Sequence, residues 1–327
     1  MIDGHGDDIC NYSGIRLNFS SNIPAFADLS ALEDHLRGCL SLVRSYPEPS
    51  PQSLEAEIAH SIGASPSEVM VTSGATEAIY LIAQMASHML APAQRTYAVV
   101  HPTFSEYDSA SRMFGFREGP DAWLCWVCNP NNPTGEVRPA DFIAGLAARH
   151  RLLVIDQSYE DYLPAPLPSC EGALVLHSMT KKYCIPGLRL GYVTGPARLI
   201  LSLRSLQRPW AVNALALEAG HWLVGHQPRF IDVPAYLSEA QRLRSLLNGI
   251  PGIRACETHT NFMLCTIEGR TAAELKEHLA AREGILIRDA SNFPGLTPHH
   301  FRVAAQTPEA DDELISAIKR YGLFPIR

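Results

Sequence analysis

Short apolar runs of strand length alternate with segments of helical periodicity up to about residue 225. The runs lack the polar alternation of a strand with one face in water, so helices are expected to cover both faces of the sheet. The predicted strands cover residues 69–72, 97–100, 123–128, 152–155, 174–176 and 188–193, and the clearest predicted helix covers 76–89. This pattern predicts an α/β fold with a mostly parallel central sheet flanked by helices.

The pattern changes beyond about residue 225, where helical segments alternate with short strand-like segments. The helices are predicted at 234–248, 271–283 and 308–321, and the strands at 262–264, 285–287 and 301–303. These elements predict a smaller α+β domain. We therefore expect an N-terminal arm over residues 1–30 that packs with the small domain, a large domain over 31–225, and the small domain over 226–327.

The composition is that of an ordinary globular protein, with 46% hydrophobic and 19% charged residues among 327. A net charge of -7 argues against nucleic acid as the main partner. No apolar run approaches the ~20 residues that a membrane-spanning helix needs. The acidic N-terminus lacks the basic and apolar regions of a signal peptide. We expect a cytoplasmic protein without a nucleic-acid or membrane partner.

Cys125 and Cys128 have the spacing of a metal-binding or redox pair, and the chain has eight cysteines. The two lie in the predicted strand 123–128. Side chains three residues apart on a strand point to opposite faces, so these thiols make a poor pair. We therefore expect buried, reduced thiols and no metal site.

The segment 178–192 places Lys181 in a short turn, after Ser178 and before Arg189. A lysine amine can form a Schiff base with an aldehyde. A hydroxyl and a guanidinium nearby can hold a phosphate, the guanidinium through two parallel hydrogen bonds. Pyridoxal 5'-phosphate carries both an aldehyde and a phosphate, so this turn indicates that cofactor.

Other polar residues follow predicted strands, at the edge where parallel sheets bind their ligands. Asp156 closes an apolar strand, where it suits a protonated pyridine nitrogen or, alternatively, caps a helix. Asn132, in the turn 129–135, can present its amide to a ligand oxygen, although an ordinary turn would have the same residues. Tyr159 lies close behind Asp156 and can donate to a ring hydroxyl oxygen.

Two further strand ends carry weaker signals. The turn 73–77 opens a predicted helix whose free amides can bind phosphate, though many such turns bind nothing. Phe104 can stack on a planar ring or simply belong to the core.

Taken together, these motifs resemble the fold-type-I pyridoxal-phosphate enzymes, in the branch of the histidinol-phosphate aminotransferases and threonine-phosphate decarboxylases. The resemblance covers nearly the whole chain and implies the transferase fold of that type. It implies that Lys181 forms the Schiff base and that Asp156 pairs with the pyridine nitrogen. Asn132 and Tyr159 would hold the ring hydroxyl, and Tyr159 would join Lys181 and Asp156 as a catalytic residue. The further cofactor contacts that it implies are Ala75, Thr76, Phe104, Ser178 and Arg189.

The resemblance also implies a homodimer, because Tyr46 matches a tyrosine that reaches the phosphate from the partner subunit. Arg302 matches the arginine that takes the substrate carboxylate. The positions of the serine and the arginine around the turn both favour Lys181 over its neighbour Lys182.

Segments 181–189, 209–216 and 287–296 look closer to threonine-phosphate decarboxylase than to the aminotransferase. The N-terminal residues around His5 and Asn22 also look like the start of that family. The resemblance then implies decarboxylation of O-phospho-L-threonine to (R)-1-aminopropan-2-yl phosphate, for cobalamin biosynthesis. A histidinol-phosphate aminotransferase-like activity is the alternative.

Arg302 and Arg288 are the predicted anion-binding residues of a phosphorylated amino acid, one for its carboxylate and one for its phosphate. Asn22 and His5 are further predicted substrate contacts. Arg288 as a surface ion pair and His5 as a mobile terminal residue are the alternatives. A regulator that binds the cofactor without catalysis is a different class, but no helix-turn-helix segment or basic patch is visible.

Two departures from the family pattern concern the substrate. The segment between Phe104 and Asn132 is shorter than usual, so a strand–helix piece of the large domain is expected to be reduced. Asp7 and Asp8 stand where the family tends to have glycine and asparagine. Carboxylates near a phosphate site would repel the phosphate.

Overall fold

The structure, a computed structural model, describes residues 6–322. The strands are β1 (Leu17–Asn18), β2 (Val69–Thr72), β3 (Thr96–Val99), β4 (Arg117–Glu118), β5 (Leu124–Cys128), β6 (Leu152–Asp156), β7 (Leu174–His177), β8 (Gly191–Thr194), β9 (Ile253–Ala255), β10 (Phe262–Ile267), β11 (Ile285–Leu286), β12 (Arg288–Asp289) and β13 (His300–Ala304). The α-helices are α1 (Ser30–Gly38), α2 (Gln52–Ile62), α3 (Gly74–His88), α4 (Glu106–Met113), α5 (Ala140–Arg149), α6 (Met179–Lys182), α7 (Ala197–Arg204), α8 (Ala214–His226), α9 (Val233–Asn248), α10 (Ala272–His278) and α11 (Pro308–Tyr321). Within residues 6–322, no helix is long and apolar enough to cross a membrane.

The central sheet has the strand order β2-β8-β7-β6-β5-β3-β4. Strands β3 to β7 run parallel to one another, whereas β8 runs antiparallel to both β7 and β2. Every residue of β2, β5 and β6 is buried, as expected for strands covered on both faces. The predicted α/β fold with a mostly parallel sheet is confirmed.

Helices cover both faces of this sheet. Apolar side chains of α3, α4 and α7 pack on one face, and those of α2, α5 and α8 pack on the other. Cys125 lies in the layer under α5, Cys128 lies in the opposite layer, and both thiols are free. The prediction that these two cysteines point to opposite faces is confirmed.

The start of β8 differs from the prediction. The strand was expected from residue 188, but it begins at Gly191. Residues Pro186–Leu188 form a 3₁₀ turn, and Arg189 has a φ of 57°, in the left-handed region. The turn and the left-handed Arg189 interrupt the extended backbone, so the strand begins only after them.

A second, antiparallel sheet of order β12-β13-β10-β9 packs against α9, α10 and α11. The three predicted helices of this part are confirmed, although a turn of π-helix, Leu279–Glu283, ends the second one. The short strands β9 and β12 were not predicted.

The N-terminal segment packs with this second sheet, because β1 pairs with β11 and Phe19 lies in the same core as Phe262. The domain boundaries at residues 30 and 225 stay a prediction.

The segment between Phe104 and β5 contains α4 and the two-residue strand β4. Glu118 and Leu124 pair with the same residue of β3, Tyr97, from its two sides. Residues 119–123 therefore cross from one side of β3 to the other without a helix. The amide of Trp123 donates to Oγ1 of Thr96 at this crossing, over 3.1 Å.

Candidate active site

A cavity of about 290 Å³ lies at the carboxyl ends of β5, β6 and β7. Ligands of parallel sheets bind at this edge. Residues of the N-terminal segment and of the second sheet form the opposite wall of the cavity. The predicted site residues that line it are Ala75, Thr76, Phe104, Asn132, Asp156, Tyr159, Ser178, Lys181, Arg189, Arg288 and Arg302.

Lys181 lies on α6, the short helix that follows β7. Its Nζ donates to the carbonyl oxygen of Ser21, over 3.0 Å. Burial, with the nearby charge of Arg302, lowers the pKa of Lys181 to about 8. A lysine with a lowered pKa is more often neutral, which is the form that attacks an aldehyde.

The neighbouring Lys182 points away from the cavity. Its Nζ forms an ion pair with Oδ1 of Asp161, over 3.0 Å. Although burial opposes it, the Asp161 carboxylate holds the pKa of Lys182 above its ordinary value. The geometry therefore favours Lys181 as the reactive amine, as the sequence predicted.

Asp156 is the last residue of β6, and its side chain is buried. Oδ1 accepts from the amide of Ser158 over 2.9 Å, and Oδ2 accepts from the hydroxyl of Tyr107 over 2.7 Å. Burial raises the pKa of this carboxyl, while both hydrogen bonds oppose the rise. A carboxylate in this position suits a cationic partner in the cavity.

Asn132 and Tyr159 line the same cavity as Asp156. Oδ1 of Asn132 accepts from Nη1 of Arg302, and the hydroxyl of Tyr159 accepts from Nδ2 of Asn22 over 3.2 Å. Burial raises the pKa of Tyr159 to about 12, although the Arg302 charge lowers it. The Tyr159 hydroxyl therefore keeps its proton at neutral pH and can donate it to an acceptor.

The turn that carries Asn132 depends on Gly135. This glycine has a φ of +72°, and a Cβ there would lie 2.8 Å from the carbonyl oxygen of Phe262. A side chain would thus clash with β10, so the glycine lets the two sheets approach at the cavity.

The start of α3 forms a cradle at the other end of the cavity. Gly74 has a φ of +75°, and a Cβ there would lie 2.8 Å from Nη2 of Arg189. Ala75 and Thr76 follow at the helix N-terminus, where free amides and the helix dipole favour an anion. Ser178 also lines the cavity. These groups together fit a phosphate.

Arg288 and Arg302 are directly opposite each other on β12 and β13. Residues paired across antiparallel strands project from the same face, so both side chains enter the cavity. They are 5% and 4% exposed, so the alternative that Arg288 forms a surface ion pair is wrong. Its Nη2 donates to Oδ1 of Asn292, over 2.8 Å.

Arg302 is held by the two segments around it. Nη1 donates to Asn132, Nη2 donates to the carbonyl oxygen of Ser20 over 2.6 Å, and Nε has no partner among residues 6–322. Burial, with the charge of Arg288, lowers the pKa of Arg302 to about 10. The guanidinium is therefore still charged at neutral pH and retains a free donor for an anionic ligand.

Two predicted residues of the described part, Asn22 and Tyr46, lie outside the cavity lining. Asn22 is buried behind Tyr159, so its predicted contact with substrate stays a prediction. Tyr46 is 84% exposed and contacts the ring of Trp210, with centroids 5.2 Å apart. His5 lies outside the described residues.

The cavity also contains residues that the sequence did not suggest as site residues. Tyr107, Ser20, Ser21 and Asn292 contribute the contacts described above. Asp7 is exposed at the rim and opposes the lowering of the Lys181 pKa. Asp7 thus places a carboxylate in the cavity lining, and its expected effect on a bound phosphate stays a prediction.

Residues 118–318 match the family model named aminotransferase class I and II. The chain belongs to this family. Class I and II aminotransferases use pyridoxal 5'-phosphate, and this is the cofactor of the chain. The cavity fits it, because it offers a lysine amine, a buried carboxylate in need of a cation, and an anion cradle.

Relatives within the aminotransferase family have two different activities in their names. A protein of Caldanaerobacter subterraneus subsp. tengcongensis, provisionally named threonine-phosphate decarboxylase, is 31% identical over 98% of this chain and 94% of its own. The histidinol-phosphate aminotransferase of the same organism is 28% identical over 85% of this chain and 84% of its own. The crystal structure of L-threonine-O-3-phosphate decarboxylase from Porphyromonas gingivalis has a TM-score of 0.85 and 30% identity, and covers 93% of this chain and 99% of that one.

Proposed function

We propose that this enzyme decarboxylates O-phospho-L-threonine, giving (R)-1-aminopropan-2-yl phosphate for cobalamin biosynthesis. The observation that carries the proposal is the pair Arg288 and Arg302, two buried guanidiniums that project from paired positions into one cavity. O-Phosphothreonine carries two anionic groups, a carboxylate and a phosphate. A buried guanidinium for each would fix its orientation.

The cofactor, when bound, supplies an electron sink for the bond that breaks at the substrate α-carbon. In this proposal Asp156 binds the ring nitrogen, and Asn132 and Tyr159 bind the ring hydroxyl. Phe104 stacks on the ring. The phosphate is bound by Ala75, Thr76, Ser178 and Arg189.

Orientation decides which bond breaks, because the breaking bond must stand perpendicular to the cofactor ring. In this proposal Arg302 holds the substrate carboxylate, using the Nε donor for which the described residues provide no partner, and Arg288 holds the phosphate. The amine of Lys181 then delivers a proton to the α-carbon in place of the lost carboxylate. An arrangement with the α-hydrogen perpendicular to the ring would instead favour transamination.

Transamination of histidinol phosphate or another amino acid is the second candidate. It is supported by the aminotransferase relative, whose identity of 28% is close to the 31% of the decarboxylase relative. Both reactions need the same cofactor contacts, and so the substrate contacts distinguish them.

Carbon dioxide release tests the proposal. We expect purified enzyme with O-phospho-L-threonine to release carbon dioxide and aminopropanol phosphate in equal amounts. L-Threonine is the matched control, because it lacks the phosphate that Arg288 would bind, and we expect at least ~100-fold lower kcat/KM with it. Release of a keto acid, or glutamate-dependent turnover without carbon dioxide, would contradict the decarboxylase proposal.

We also propose a homodimer in which Tyr46 reaches the cofactor phosphate of the partner subunit. Tyr46 and Trp210 lie on the surface close to a chain segment that exposes Leu40 and Val43. Exposed apolar side chains grouped in this way are typical of a protein interface. Light scattering of the holoenzyme is expected to give twice the mass of one chain, and a monomer at micromolar concentration would contradict the proposal. The expected cytoplasmic location stays a prediction.

A further inference from the structure

Tyr107 is a buried tyrosine on α4 that touches the cavity. Its hydroxyl donates to Oδ2 of Asp156, over 2.7 Å. Oδ1 of the same carboxylate accepts from the amide of Ser158. Both oxygens of Asp156 thus accept hydrogen bonds from the protein, Oδ1 from Ser158 and Oδ2 from the hydroxyl of Tyr107.

The ring of Tyr107 is fixed on both sides. It stacks on Trp126, with centroids 5.4 Å apart and planes at 12°, and it meets Phe104 edge-on at 5.8 Å. Nε1 of Trp126, on β5, donates to Oγ of Ser111 over 3.0 Å, and Ser111 lies on α4 with Tyr107. The hydroxyl therefore has little freedom to turn away from Asp156, and the same ring also supports the proposed stacking residue.

The titratable groups that face Asp156 are Tyr107, Cys128, Tyr159 and Lys181. Burial raises the pKa of Tyr107 and of Cys128 well above their ordinary values, so both are neutral at neutral pH. Burial also raises the pKa of Asp156, and the Tyr107 hydrogen bond opposes this. A hydrogen bond to the ionised form of a carboxyl group favours that form.

We propose that Tyr107 is a positioning residue that keeps the negative charge on Asp156, so that the shared proton stays on the cofactor ring nitrogen. This inference rests on the proposed pairing of Asp156 with that nitrogen. Without the Tyr107 hydroxyl the carboxylate becomes more basic and takes more of the shared proton. The ring then loses positive charge, which weakens it as an electron sink.

The variant Tyr107→Phe tests the inference, because it removes the hydroxyl and keeps the ring. We expect the ¹⁵N signal of ring-labelled cofactor bound to this variant to move from the protonated towards the unprotonated position. We also expect the Kd for the cofactor to rise roughly ten-fold at neutral pH, as for the loss of a hydrogen bond to a charged group. A more basic carboxyl is protonated at higher pH, so affinity should begin to fall at a higher pH as the solution is acidified.

Tyr97→Phe is the matched control. Tyr97 is also fully buried, and its hydroxyl donates to Oδ1 of Asp108 over 2.8 Å, but it does not line the cavity. This variant loses the corresponding hydrogen bond to a carboxylate, together with one that Nε of Arg112 donates to the Tyr97 hydroxyl. It should leave the ¹⁵N signal and the cofactor Kd unchanged. Equal changes in both variants, or none in Tyr107→Phe, would overturn the inference.

Asp156→Asn separates this inference from the proposed function. If Asp156→Asn shifts the ¹⁵N signal and Tyr107→Phe does not, Asp156 keeps its proposed role and Tyr107 loses its own. If Asp156→Asn leaves the signal in place, the pairing of Asp156 with the ring nitrogen is wrong and the inference falls with it, whereas carbon dioxide release still decides the proposed reaction. A fluorinated tyrosine at position 107, which is a stronger donor, should shift the signal opposite to Tyr107→Phe; a shift in the same direction would count against the inference.

Discussion

The Lys181→Ala variant is expected to lose the visible absorbance of the bound cofactor together with catalysis. Lys181 is an amine in the cavity lining, and the lowering of its pKa to about 8 increases the fraction that is neutral and nucleophilic. The same group is proposed to move the proton at the substrate α-carbon. Proton transfer by a positioned side chain contributes ~100-fold or more to a rate, so kcat should fall at least that far. Absorbance spectra and turnover assays of the purified variant check both effects.

Lys182→Ala is the matched control, because it removes an adjacent lysine of the same helix. Its ion pair with Asp161 is partly exposed, and such pairs contribute only about 0–1 kcal/mol to stability. We therefore expect the absorbance and the activity of Lys182→Ala to match those of the unchanged enzyme. Loss of the absorbance in Lys182→Ala, with retention in Lys181→Ala, would reverse the assignment.

The Arg302→Gln variant is expected to lose ~100-fold or more in kcat/KM, as for the loss of a buried charge-assisted contact with substrate. The substitution also leaves Oδ1 of Asn132 and the carbonyl oxygen of Ser20 without their charged donor. Arg302→Lys should restore little, because an ammonium cannot reproduce the fork of hydrogen bonds. Steady-state kinetics with O-phospho-L-threonine measure the loss.

The decarboxylated product offers a control for the same variant, since it has the phosphate and lacks the carboxylate. If Arg302 binds the carboxylate, the inhibition constant of this product should be the same for Arg302→Gln and the unchanged enzyme. Arg288→Gln should instead weaken the product and the substrate together. A product that binds Arg302→Gln as poorly as the substrate does would show that the two arginines have exchanged roles.

Sequence reasoning succeeds at the strand ends. Asp156 and Asn132 each follow a continuous apolar run, and parallel strands deliver their carboxyl ends to one edge of the sheet. Lys181 follows the next strand by the same logic. The meeting of these three side chains is therefore predictable from the order of apolar runs alone.

The missed residues lack such a signal. Ser20 and Ser21 contribute carbonyl oxygens, which any residue would provide, so their side chains carry no information. Tyr107 lies inside a helix whose apolar positions predict only core, and its carboxylate partner is Asp156, far away in sequence. Contacts of this kind depend on tertiary packing, which periodicity does not encode.

Arg288 shows that the sequence also does not determine which charged side chains are buried. Its strand, β12, has only two residues, too few to show a period. Its pairing with Arg302 is set by the register of two strands, and sequence spacing does not fix that register. Burial of both side chains, and hence the choice between a surface ion pair and a cavity residue, could only be read from the structure.

The hydrogen bond from Arg302 to Ser20 has a consequence for the order of events during biosynthesis. The residues proposed to bind the cofactor lie between Tyr46 and Arg189, so a ribosome has made all of them well before it reaches Arg302. The wall that faces the substrate needs both Ser20 and Arg302, and these two residues lie 282 positions apart in the sequence. Because chains begin to fold from the N-terminal side as they emerge, a nascent chain would hold a cofactor cradle still open to solvent.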